Sequence, residues 1–99
     1  LRRYEIDKNL KLSNPIEFAR QNPKNVFDGF RFDCEDNLWT SCGESVVCYN
    51  TSGKQIDVIE MPERVSNVEF GGVDGKTLFI TASTSVYMTD MKIKGAKFK

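Results

Sequence analysis

Apolar and polar positions alternate with a period of two along nearly the whole chain. The pattern predicts strands over 2–6, 29–33, 38–41, 45–49, 55–60, 65–70, 77–82 and 86–91, and Ile16 and Phe18 mark one further short segment. Within 29–33, Phe30 and Phe32 fall on one face and Arg31 on the other. Turn residues separate the runs: Asp7-Lys8-Asn9, Cys34-Glu35-Asp36-Asn37, Thr51-Ser52-Gly53-Lys54 and the glycine-rich 71–76. Pro62 closes the strand before it, because proline brings no N–H to a ladder. No window carries a period of 3.6. The best helical candidate, 14–21, has Pro15 near its start and is too short to stand alone. The expectation is an all-β chain of short strands about ten residues apart.

Internal repetition sharpens that expectation. LWTSCGESVVCYN, from Leu38, lies over LFITASTSVYMTD, from Leu78, at an offset of 40, matching Trp39 with Phe79 and Val46 with Val86. Upstream, Phe32 matches Phe70 at an offset of 38, and the difference is absorbed at Gly71-Gly72. A weaker copy sets LRRYEID, from Leu1, over VVCYNTS, from Val46, at an offset of 45. Four-stranded units repeating at about 40 residues are the signature of antiparallel propeller blades, and a sandwich of hairpins gives no reason for such phasing. The chain then divides into the second half of one blade with its connector (1–27), a full blade (28–64) and a last blade lacking a strand, with its tail (65–99). Two and a half blades leave broad apolar faces bare. The chain is therefore expected to be part of a longer protein, or to assemble with copies of itself. Its opening on Leu1 in place of methionine agrees with the first of these.

Composition excludes several functions. Fourteen basic and fourteen acidic residues cancel, so no general affinity for nucleic acid or an anionic membrane is expected. The lysines at Lys92, Lys94, Lys97 and Lys99 read as a solvated tail. No apolar run reaches the roughly 20 residues of a membrane span. Cys34, Cys42 and Cys48 are odd in number and not spaced as zinc ligands, which points to reduced thiols and a cytoplasmic location. With no histidine in the chain, histidine-assisted nucleophiles are ruled out, and any catalysis rests on carboxylates or a metal.

The runs DGFRFDCEDNLW, GKQIDVIEMP, SNVEFGG and KTLFITASTSVY, in that order, resemble the last third of the gluconolactonase family. That family includes senescence marker protein and the luciferin-regenerating enzyme. The resemblance implies a six-bladed propeller with one divalent metal, Ca2+ or Zn2+, at the mouth of the central channel. It also implies hydrolysis of sugar lactones or related esters. In the family, an aspartate of an Asp-Gly pair before an innermost strand binds the metal and serves as general base. By position that residue is Asp28. A hard cation suits carboxylate and amide oxygens and needs no histidine, and Gly29 lets the chain bend into the strand.

The family often has proline before this pair, where this chain has Phe27. Asp-Gly is also a common turn pair, and Asp74-Gly75 repeats it with no ligand role expected. Asn67 likewise precedes an innermost strand and is the candidate for contact with the lactone. Asp33, Glu35 and Asp36 lack the series of an EF-hand loop and read as a solvated turn. Gly71, Gly72 and Gly75 are no phosphate cradle, since no helix follows. Trp39, Phe32 and Phe70 read as blade core by their repeat-matched places, not as a sugar platform. The family's other ligands, a glutamate and an asparagine, would lie before Leu1, so the isolated chain is expected to lack lactonase activity. The alternative is a non-enzymatic or self-assembling propeller piece.

Overall fold

In a computed structural model, residues 1–20 and 25–99 are described. The connector positions 21–24 lie outside them. Among the described residues, nine strands form three antiparallel sheets: β1 (Arg2–Ile6) with β2 (Leu12–Glu17), then β3 (Phe30–Phe32), β4 (Leu38–Cys42), β5 (Ser45–Tyr49) and β6 (Gln55–Glu60) in that order, then β7 (Val65–Gly71), β8 (Thr77–Ala82) and β9 (Val86–Asp90). The expected all-β class holds. The segment marked by Ile16 and Phe18 is longer than expected and begins at Leu12.

Strand bounds correct the third repeat. Arg2–Ile6 falls on Ser45–Tyr49 and Leu12–Glu17 on Gln55–Glu60, all 43 residues on and not 45. The hairpin turns agree. Asp7 Oδ1 accepts from the amides of Asn9 and Lys11, and Asn50 Oδ1 from those of Ser52 and Lys54. A side chain that closes its own turn at two and four residues on is a stronger registration mark than the aromatic match at Tyr4.

The core lies between the four-stranded and three-stranded sheets. Cross-strand partners share a face, so Trp39 pairs with Cys48, Val68 with Ile80 and Phe70 with Leu78. Together with Val46 and Val65 these residues form one buried cluster. Trp39 and Phe70 are core, as expected. Phe32 is not: it stays 46% exposed. It sits with Phe30 and Leu38 on the opposite sheet face, towards the first hairpin, and two strands do not cover that face.

Two polar expectations are also corrected. Glu35 and Asp36 are exposed, but Asp33 is fully buried. Its Oδ1 accepts from the amides of Glu35 (2.9 Å) and Asn37 (3.0 Å), and its Oδ2 from Asn37 Nδ2 (3.0 Å) and Trp39 Nε1 (2.9 Å). Four donors replace the water that the carboxylate gives up. The lysine-rich tail is docked, not solvated. The Cys34 amide donates to Lys94 O (2.9 Å), Gly95 N to Gly75 O (3.1 Å), and Lys97 Nζ lies 3.2 Å from Glu69 Oε1. Gly95 and Gly75 allow this approach, since a methyl on either would fall within 2.5 Å of Phe70 or Phe98. The tail therefore clasps turns of both larger sheets.

Candidate functional site

Asp28 precedes β3, the edge strand of its sheet, and is exposed. The turn that carries it is held from two sides. Ser41 Oγ, on neighbouring β4, accepts from Asp28 N (2.9 Å) and Gly29 N (3.2 Å), and Ser41 N donates to Gly29 O (3.0 Å). Gly29 N also donates across to Ser66 O of β7 at 3.0 Å, a main-chain bond between two sheets.

Asn67 follows directly. It lies inside β7, third from its start, and not before the strand as expected; pairing with β8 slips between Val65 and Asn67, the kind of irregularity that re-aims a side chain. Its carboxamide packs on Gly29: a methyl added there would sit 2.0 Å from Asn67 Oδ1 and 2.4 Å from Cγ. Glycine is required here for that close approach, and Gly29 has no left-handed backbone to accommodate. So the structure brings the entrances of β3 and β7, with Asp28 and Asn67, to one place. Asn67 Oδ1 accepts from Val68 N (2.9 Å), which directs that oxygen to the chain and leaves the Nδ2 hydrogens for another acceptor.

Ser41 was not anticipated from the residues. Its signal was present, because a serine stands in β4 where alternation wants an apolar side chain, and the repeat matches it with Thr81. Thr81 Oγ1 lies 2.9 Å from Ser66 Oγ and 3.4 Å from Asn67 O, so both repeats set a hydroxyl behind the inner-strand entrance.

Further along the inner strands, Arg31 Nε and Lys97 Nζ each lie 3.2 Å from Glu69. Burial pushes the Glu69 carboxyl up, but hydrogen bonds and charge from Arg31 and Lys97 outweigh it and hold the group below its ordinary value. The cysteines are free, and burial pushes Cys48 up to about 12, with Asp33 and Asp57 adding to it. Burial raises Cys42 as well. Such thiols are poor nucleophiles. Asp74 serves its own turn, accepting from Lys76 N at 3.0 Å.

Among the described residues no group of three or more acidic, cysteine or histidine side chains gathers to hold a metal. What the site offers is one exposed carboxylate beside an amide. Those donors fit one side of a hard cation's shell and fall short of its full coordination. No helix among the described residues is long and apolar enough to cross a membrane.

The family model described as the SMP-30/gluconolactonase/LRE-like region matches residues 1–84. The chain belongs to that family. A structural-genomics protein assigned as a gluconolactonase superposes with a TM-score of 0.88 at 26% identity, over 95% of this chain and 32% of its own. The luciferin-regenerating enzyme superposes with a TM-score of 0.82 at 24% identity, over 95% of this chain and 39% of its own. This member of the family thus spans about a third of the length of the solved structures it matches, and shares their propeller-type all-β architecture. No curated protein sequence matches it.

Proposed function

We propose that the chain is a carboxy-terminal part of a metal-dependent hydrolase of sugar lactones, built as a six-bladed propeller, in which Asp28 is one ligand of a divalent cation. The observation that carries the reading is the fixed entrance of β3, where Asp28 leaves a turn braced by Ser41, Ser66 and Asn67 in a chain of this family. The divisions 1–27, 28–64 and 65–99 are then parts of three successive blades, and the sheets of two, four and three strands fit that division.

Asp28 and further oxygen ligands from outside this chain would hold the ion, Ca2+ in preference to Zn2+ on this all-oxygen donor set. When bound, such an ion polarises the lactone carbonyl. Asp28 takes a proton from the water that adds to that carbonyl carbon. The ring C–O bond then breaks, and Asp28 returns that proton to the ring oxygen, which leaves as the hydroxyl of the open hydroxy acid. Asn67 Nδ2–H donates to a substrate oxygen and orients the ring. The free thiols agree with a cytoplasmic site of action.

The test is gluconolactone turnover by the natural protein that carries this chain. Asp28→Ala should lower kcat by about a hundredfold or more, with the fold intact by circular dichroism. Unchanged kcat would remove Asp28 from the mechanism. The open edge of β9, with Val86 68% and Met88 72% exposed, favours a second reading as an assembly module. Sedimentation at micromolar concentration distinguishes the two, since the module reading requires a defined oligomer without added metal.

A further inference from the structure

We propose that Ser41 is a positioning residue for Asp28, acting through the main chain and touching no ligand itself. This rests on the reading of Asp28 above. Ser41 is fully buried one strand behind the turn, and its Oγ accepts from the amides on both sides of the Asp28 Cα. An acceptor shared by two successive N–H groups restrains the backbone dihedrals of the residue between them. It thereby sets the direction in which the Asp28 side chain leaves the chain.

The two amides do not depend on Ser41 equally. Gly29 N keeps a second acceptor in Ser66 O, so it survives loss of the hydroxyl. For Asp28 N, Ser41 Oγ is the acceptor recorded, so removal of the hydroxyl frees the residue that carries the carboxylate.

The other repeat supplies an internal comparison. Thr81 takes the place of Ser41, and Ser66 and Asn67 take the places of Asp28 and Gly29. There the hydroxyl meets a hydroxyl and a carbonyl, and those groups are exposed. Only the Ser41 copy is buried and turned to amides, and only that copy stands behind a carboxylate. The second repeat needs a strand start, whereas the first needs an aimed ligand.

The experiment uses the natural protein with Asp28→Ala, Ser41→Ala and Ser41→Cys. Calcium alone is titrated calorimetrically, and amide hydrogen exchange and melting are followed without metal. In Ser41→Ala, exchange at the Asp28 amide should rise while Val46 and Leu78 stay protected, and calcium affinity should fall roughly tenfold or more. Ser41→Cys, with a weaker acceptor of similar size, should fall between, and it carries the comparison if Ser41→Ala does not fold. Wild-type calcium affinity in the serine variants, with binding lost in Asp28→Ala, would overturn the positioning role and spare the ligand. Wild-type affinity in Asp28→Ala would overturn both.

Discussion

Replacing Asp33 by asparagine is a sharper perturbation than its small change of shape suggests. Each carboxylate oxygen accepts two N–H groups, all at 2.9–3.0 Å; Asp33 is fully buried, the Trp39 bond is buried and the other three are partly so. An asparagine keeps one acceptor oxygen and turns an NH2 towards a pair of donors, whichever way it flips. One orientation orphans the amides of Glu35 and Asn37, and the other orphans Asn37 Nδ2 and Trp39 Nε1. A buried donor left without a partner costs about 1–3 kcal/mol. Two of them give about 2–6 kcal/mol, against a total stability of roughly 5–15 kcal/mol for a domain.

Asp33→Ala removes the acceptor from all four donors but opens room for water. The two variants should therefore lie close together, although asparagine is nearly isosteric. Urea denaturation of the natural protein followed by Trp39 fluorescence measures both. Trp39→Phe in the Asp33→Asn background should cost less than the same change in the wild type, because it deletes one misplaced donor. An Asp33→Asn protein within about 0.5 kcal/mol of wild type, the usual range for a surface change, would refute the argument that donor count governs this site.

Two further outcomes follow from contacts around Gly29 and Glu69. Gly29→Ala places a methyl 2.0 Å from Asn67 Oδ1, so lactone KM should rise several-fold as Asn67 is displaced, and Asn67→Ala should relieve the accompanying loss of melting temperature; an unchanged KM would place Asn67 outside the substrate site. Glu69 has its folded-state carboxyl held below the ordinary value of 4.5. Its contribution is present at neutral pH and is lost as pH falls through the lower folded value. The protection factor of the Gly95 amide, its exchange rate referred to the intrinsic rate at each pH, should therefore fall on acidification through that range, and in Glu69→Gln it should be low already at neutral pH.

Much of the architecture was legible because strands write themselves in a period of two and turns in a few residue types. Phe70 over Phe32 and Leu78 over Leu38 located the repeat. What failed did so where a third element decides the outcome. Phe32 has the pattern of a core residue, but its burial depends on what covers the sheet's other face, and two strands leave it open. Asp33 looks like its neighbours Glu35 and Asp36, and what distinguishes it is the closing of Asn37 and Trp39 on its carboxylate and the returning tail that pairs with it at Gly95. The slip of two in the third repeat arose from weighing Tyr4 above the turn-closing Asp7. At the site, Asp28 was legible as lying just before a strand, whereas Asn67 lies inside one. That they meet across two sheets was not, because no local pattern records which strand entrances become neighbours.

Asp28 belongs to a seam more than to a strand. The joint between the two larger sheets is bonded at one end by Gly29 N to Ser66 O, and at the other by the tail through Cys34, Gly75 and Glu69. A joint bonded at both ends resists hinging, and the carboxylate stands on the rim of that braced seam. Cutting the far pin leaves the joint to the near bond, to Val65 N on Gly43 O, to the Arg31–Glu69 pair and to the shared core. Damage near Gly95, remote from any ligand, would thus surface first as blunted aim at Asp28, before any loss of fold.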